Sequence, residues 1–346
     1  MTRHAPALTT EQTDLQDMLS AVVADAGHLP ADEHPADIAV LRRRLAELGV
    51  WTLGATMDGD PAGDELAAIA FARLGRSWAA LAWASVQAHA AVDVVGDSEL
   101  SAAIRAGDSA VAVLDQSSAV VHMTARDGWL SGRIDRLDPA GERPHVILLG
   151  EGSARVIPAE ALRFEPLRRT GLDGALTVSA ETTEAVREAD VTRAGVDTTA
   201  ARIRLRLGAA AIAAGIADAA AEAALSYSAQ REQFGAPLTA LPTVRDALFL
   251  SSGAATTALR QVLRPRDCSA WQAAAVLDSL CEQAIDTCAL AVQSHGGYGY
   301  LAEYPVERLL RDAVSLRAAA DVAGARRAAA SELAGHPRTD SGKDRT

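Results

Sequence analysis

The sequence predicts a mainly helical α+β protein: an N-terminal helical domain, a small middle β barrel or sandwich, and a C-terminal four-helix bundle. Three observations lead there. Alanine-rich stretches with apolar residues at three- and four-residue spacing fill both ends of the chain. Short runs rich in Val and Ile, broken by Gly, Pro and Asp, fill the middle. The length of 346 residues exceeds what one compact domain usually holds. The parts divide at 1–107, 108–192 and 193–335, followed by a polar tail over 336–346 that is expected to be disordered.

In chain order, AVLRRRLAELGVWTL reads as an amphipathic helix closed by a glycine, and DELAAIAFARLGRSWAALAWASVQAHAAVDVV as two buried helices. AVAVL, AVVHMTA, GWLSGRI, HVILLG, ARVIPA and ALTVSA read as short strands. The bundle follows. A long helix over ARIRLRLGAAAIAAGIADAAAEAALSYSAQREQF is closed by Gly235 and Pro237, and a second is stopped by Pro265. A third ends at Gly296–Gly297, and a fourth is VERLLRDAVSLRAAADVAGARRAAASELA, with Pro305 at or near its first turn.

Composition narrows the function. A formal net charge of −12 argues against nucleic acid as a partner. No apolar run reads as a membrane span, and the N-terminus lacks the apolar core of a signal peptide. Three cysteines make no disulfide framework and suit a reducing, cytoplasmic setting. Lys343 in the tail is the only lysine, which excludes Schiff-base chemistry and Walker-type phosphate binding. Arginine is left to bind anions, a task that its planar fork suits.

Two stretches stand out. In QSHGGYGYLAEYPVERLLRDA, Gly297, Gly299 and Ala302 fit the G-x-G-x-x-G/A dinucleotide fingerprint. That fingerprint needs a buried strand before it, and a helix precedes it here, so the match is accidental. A glycine C-cap between helices is one reading, and a backbone that a ligand approaches closely is the other. The second stretch is Arg231-Glu232-Gln233-Phe234-Gly235 at the end of the long helix. Its arginine either favours the helix dipole or is held for a phosphate. Cys281, Cys288 and His295 repeat at seven-residue spacing; side chains about 10 Å apart on a helix cannot share one metal ion, so they read as a packed face.

Together, YSAQREQFGAPL and QSHGGYGYLAEYPVERLLRDA, in a helical bundle behind a β domain, resemble the acyl-CoA dehydrogenase family. The segment RRTGLDGALTVSAE resembles the family's exit from the β domain, and GWLSGRI one of its strands. The resemblance implies tetramers that bind FAD between subunits and remove α- and β-hydrogens from acyl-CoA thioesters, passing electrons to another flavoprotein. It further implies that Arg231, with Phe234 beside it, contacts the pyrophosphate of a neighbour's FAD. Gln293, Gly296 and Gly297 would contact the adenosine and pyrophosphate side.

The sequence departs from the family in two places. The usual glutamate base falls nine residues after the arginine of Arg311-Asp312-Ala313, which is Ala320, with Asp321 and Val322 in place of Gly and Thr. An alternative family position, twenty-six residues before Arg231, is Leu205. Asp321 is the remaining candidate base, though one residue along a helix turns a side chain by about 100° and aims it elsewhere. Arg206 matches a family arginine near the substrate end of the flavin pocket, or else belongs to a solvated run with Arg202 and Arg204. The family's flavin-holding segments are replaced by AVLDQSSAVV and GRIDRL. The motifs offered to a neighbour are thus kept while those serving the chain's own flavin are lost. That pattern resembles the base-lacking subunit of heteromeric actinobacterial acyl-CoA dehydrogenases. The alternatives are a homomeric enzyme using Asp321, and a flavin-free scaffold of the same fold.

Overall fold

The computed structural model describes residues 4–27, 29, 34–55, 61–233, 235–263 and 268–335. The expected tail and Pro265 lie outside these residues. Five helices come first: α1 (Thr10–Ala26), α2 (Pro35–Glu47), α3 (Pro61–Gly75), α4 (Ala79–Val95) and α5 (Glu99–Arg105). Seven strands follow: β1 (Val111–Asp115), β2 (Val121–Arg126), β3 (Trp129–Leu137), β4 (His145–Leu149), β5 (Ser153–Ile157), β6 (Leu162–Pro166) and β7 (Val178–Thr182). The region closes with β8 (Val186–Arg187), a single turn α6 (Glu188–Val191) and β9 (Thr192–Ala194). The C-terminal helices are α7 (Thr198–Gln230), α8 (Pro242–Val262), α9 (Ala270–His295), α10 (Val306–Ala319) and α11 (Val322–Leu333), with a two-residue hairpin β10 (Glu232–Gln233) and β11 (Ala236–Pro237) after α7. The order of helices, sheet and helices is the one that the hydrophobic periods predict.

Helix α7 is the axis of the molecule. It is long and apolar enough to cross a membrane by length and composition, contrary to the expectation from the sequence, yet most of it is buried in protein. Helices α3, α4, α8 and α9 pack around it. Its small residues allow this: a Cβ on Gly215 would strike the Ala72 carbonyl of α3, and one on Gly75 would lie 2.7 Å from the Ile212 carbonyl of α7. Only backbones without side chains cross so closely.

Two sheets form the middle. One has the order β1-β4-β5-β9, with β1 and β4 parallel; the other has the order β2-β3-β7-β6, with β8 beside β3. Their facing residues, among them Ala112, Val146 and Leu148 against Leu130, Ile134 and Val178, form a core separate from the helical one. The arrangement is a sandwich. A register shift in β3 between Ile134 and Leu137 resets the alternation, so Leu137 also faces inward.

The fourth bundle helix departs from expectation. It is two helices, broken after Ala319, because Asp321 adopts the left-handed conformation with φ 46°. The Asp321 carboxylate then caps α11 by accepting from the Gly324 N–H at 3.1 Å. Short polar Asp tolerates this conformation better than most residues and also supplies the cap.

Candidate functional site

Two cavities collect the residues singled out in the sequence. The first lies where α4, β1 and β3 meet α7 and the α10–α11 corner, and holds about 90 Å³. Leu205 and Ala320, the two positions where a base was sought, both line it. The fold thus brings both positions to one space, and both carry only alkyl groups. Asp321 lines it too, which corrects the expectation that a helical turn aims it elsewhere: the helix has ended and no 100° rotation applies. Its carboxylate is nonetheless engaged by Gly324.

The charged groups of this first cavity are held by other charged groups or by the backbone. Arg202, 7% exposed, donates to Asp115 at 2.6 Å and to the Leu149 and Gly150 carbonyls. Burial pushes the Asp115 carboxyl up, but Arg202 and hydrogen bonds from Ser117 outweigh it and hold it below its ordinary value. Asp138 accepts from Arg169 and, at 2.7 Å, from the Thr177 hydroxyl, and pairs with Arg136 at 3.2 Å. Burial lowers Arg169 to about 10. Arg206, also 7% exposed, donates to the Ala270 carbonyl at the start of α9 at 2.7 Å. Arg204 pairs with Asp93 and Asp64. The arginines of this run are therefore buried or half-buried and partnered, Arg202 and Arg204 by carboxylates and Arg206 by a carbonyl, and are not solvated. Alternate positions on α7 point into different layers, and each layer supplies its own acceptor.

These residues do not fit an FAD ring. Ligand pockets usually begin at roughly 300 Å³, and the replacements AVLDQSSAVV and GRIDRL bring in Asp115 and Arg136, which pair with Arg202 and Asp138 and fill the space with ion pairs.

The second cavity, about 530 Å³, opens on the bundle between the ends of α7 and α9 and the start of α8. Arg231, Gln293, Gly296 and Gly297 all line it, although more than sixty residues separate the first from the others. Phe234 lies outside the described residues. Arg231 caps α7 with an extended backbone, and its carbonyl accepts from the Leu238 N–H at 2.8 Å across the β10–β11 hairpin. Sequence reasoning missed this hairpin; the signal was Gly235, whose φ of 79° closes the turn. Among the described residues, Arg231 makes no ion pair, and its guanidinium carbon lies 5.3 Å from the Tyr298 ring centre. Gly296 ends α9 with φ 58°. Gly297 needs no unusual φ, and a Cβ there would meet nothing within 4 Å. Gly299 is different, since its Cβ would lie 2.6 Å from the Val292 carbonyl. This open backbone beside an uncommitted guanidinium does fit a phosphate-bearing group.

His295 stacks on Tyr227 at 4.1 Å beneath this cavity. Burial lowers its pKa and keeps it neutral, and its Nδ1 lies 2.8 Å from the Ala291 carbonyl. A carbonyl only accepts, so Nδ1 carries the proton. Cys281 and Cys288 are buried on the same helix, as a packed face requires, and burial pushes the Cys281 thiol up to about 12.

Residues 203–320 match the acyl-CoA dehydrogenase C-terminal domain. This C-terminal third of the chain is similar to the acyl-CoA dehydrogenase C-terminal domain. An acyl-CoA dehydrogenase of Bacillus subtilis is 42% identical over 114 residues, covering 31% of this chain and 30% of that relative. The match thus spans under a third of the relative's length. The fold likeness is wider. Glutaryl-CoA dehydrogenase from Mycobacterium smegmatis aligns with TM-score 0.77 and 16% identity, covering 96% of this chain and 97% of that one. The ChsE4-ChsE5 complex from Mycobacterium tuberculosis aligns with TM-score 0.74 and 19% identity, covering 96% of this chain and 99% of that one. The family match takes in Arg206, Arg231, Gln293, Gly296 and Gly297, and its last residue is Ala320.

Proposed function

We propose that this chain is a subunit of an acyl-CoA dehydrogenase that completes an FAD site held mainly by a partner subunit of the same fold. One observation carries the reading: the uncommitted Arg231 shares a cavity of about 530 Å³ with Gln293, Gly296 and Gly297, while the chain's own inter-domain cavity of about 90 Å³ is filled by ion pairs. Arg231 would bind a pyrophosphate through two charge-assisted hydrogen bonds. Backbone N–H groups at Gly296 and Gly297 would donate at close range, and the Gln293 amide would hold the adenosine side. When bound, FAD supplies the hydride acceptor for α,β-dehydrogenation of an acyl-CoA thioester. On this reading the partner supplies the base, because Leu205 and Ala320 cannot move a proton. A heteromer with the M. tuberculosis neighbour's fold is in keeping with it. Electrons would leave to a separate flavoprotein.

The homomeric alternative is favoured by one fact, that Asp321 lines the first cavity. Its carboxylate is held as a helix cap, which argues against it as a base. The test is expression of the chain alone and together with a candidate partner that retains a glutamate base. The reading requires that FAD and acyl-CoA oxidation be found only in the co-expressed complex. Stoichiometric FAD and turnover in the lone chain would favour the homomer. A colourless complex with each candidate partner would favour a scaffold.

A further inference from the structure

We infer that Tyr298 is a positioning residue that holds the Arg231 guanidinium for a phosphate, with a stack of three further rings fixing Tyr298 in turn. The inference rests on the reading of the second cavity as a pyrophosphate-binding surface. Arg231 ends a helix and, among the described residues, has no carboxylate to fix its long side chain. An arginine left to itself samples many rotamers, and each must be given up when it meets an anion. Here the guanidinium carbon lies 5.3 Å from the Tyr298 ring centre, inside the range of a cation–π contact. That contact leaves the N–H donors in the guanidinium plane available to an incoming oxygen. A carboxylate partner would have taken part of them, as Asp115 takes the Nε–H of Arg202.

Tyr298 is itself held. Its ring meets Tyr304 at 6.0 Å and 65°. Tyr304 in turn meets His295 edge-on at 5.4 Å and Tyr227 edge-on at 5.7 Å, and those two stack at 4.1 Å. The four rings join the last turn of α7, the end of α9, the turn after it and the entrance to α10. Tyr227 lies four residues before Arg231 on α7, so the stack references the arginine to its own helix. His295 stays uncharged through burial and adds no second cation beneath Arg231. Tyr298 is 43% exposed and lines the second cavity, so its ring lies where a bound group would meet Arg231.

The experiment uses the co-expressed complex, stripped of flavin and titrated with FAD, carrying changes only in this chain. Tyr298→Leu is expected to weaken FAD binding about three- to tenfold, while Tyr298→Phe, which keeps the ring, stays within about twofold. Arg231→Ala should weaken binding more, and Tyr298→Leu should then add nothing. Raising the salt concentration should weaken FAD binding less in Tyr298→Leu than in the parent, because an unpositioned Arg231 makes less of its ionic contact with the phosphate. The melting temperature reports separately on the Tyr298–Tyr304 contact, which Tyr298→Leu loses and Tyr298→Phe keeps. If Arg231→Ala weakens binding and Tyr298→Leu does not, Tyr298 has no positioning role and the cavity reading stands. Equal losses from Tyr298→Leu with and without Arg231 would also overturn the inference, because Tyr298 would then act by itself. If Arg231→Ala leaves FAD binding unchanged, the cavity reading fails and the inference falls with it.

Discussion

A Cβ on Gly297 would meet nothing within 4 Å, and its backbone has no positive φ, so the packing of this chain gives no reason for a glycine there. Its neighbour Gly296 has such a reason in its φ of 58°. Replacing Gly297 by Ala should therefore leave the lone chain as stable or more stable, by up to about 1 kcal/mol in thermal unfolding. In the complex the same methyl would stand in the path of the cofactor, and FAD retention should fall at least tenfold. Equal retention would mean that no group approaches this backbone. Asp321 is the reverse case. Asparagine keeps both the cap and the tolerance for φ 46°, so Asp321→Asn should fold normally and leave turnover of the complex within about twofold. Loss of turnover would reinstate Asp321 as a base. Ala320, Leu205, Arg231 and Gln293 were legible in the sequence because motif spacing fixes them. The left-handed backbone of Asp321 was not, because a helical pattern runs through it without a Gly or Pro to mark the break.

Two residues of the Arg311-Asp312-Ala313 stretch tie α10 to the β domain. Arg311 donates to the Thr170 carbonyl, and Asp312 accepts from the Leu172 N–H at 2.7 Å and from Arg308 at 3.1 Å. Gly171 is needed where they meet, since a Cβ there would strike the Arg311 carbonyl. Thus RRTGLDGAL and RLLRDA, distant in sequence, are two halves of one joint, which neither stretch reveals alone. Burial pushes the Asp312 carboxyl up to about 6, against the opposing pull of Arg308 and the Leu172 N–H. Its folded pKa therefore lies above the unfolded value of 3.8, so the folded state holds the proton more tightly. This group's contribution falls as pH rises from about 4 to about 6, and then stays constant. Asp312→Asn removes that slope. The stability of the variant relative to the parent should rise across the same window by on the order of 2–3 kcal/mol, measured by denaturant unfolding at a series of pH values. A constant difference across the window would show that the carboxyl is not shifted.

At the scale of the whole molecule, the order of helical, β and helical regions was legible because hydrophobic periods of 3.6 and 2 alternate cleanly along the chain. The parallel pairing of β1 with β4 was not, since each strand's pattern is satisfied by either direction. Nor was the fate of the arginines. Arg202, Arg204 and Arg206 look like one solvated stripe, and only the folded chain shows Asp115, Asp93 and the Ala270 carbonyl waiting for each. That difference between committed and uncommitted arginines divides the two cavities. One is closed by its own ion pairs; the other presents Arg231 outward. On the proposed function, a molecule so arranged acts together with a second chain. The most direct test is the FAD content of the purified lone chain against that of its co-expressed complex, with and without Arg231→Ala in this chain. The lone chain is predicted to carry no flavin, the complex to carry it, and the variant complex to lose it. A yellow lone chain that oxidises acyl-CoA with a dye acceptor would contradict the account.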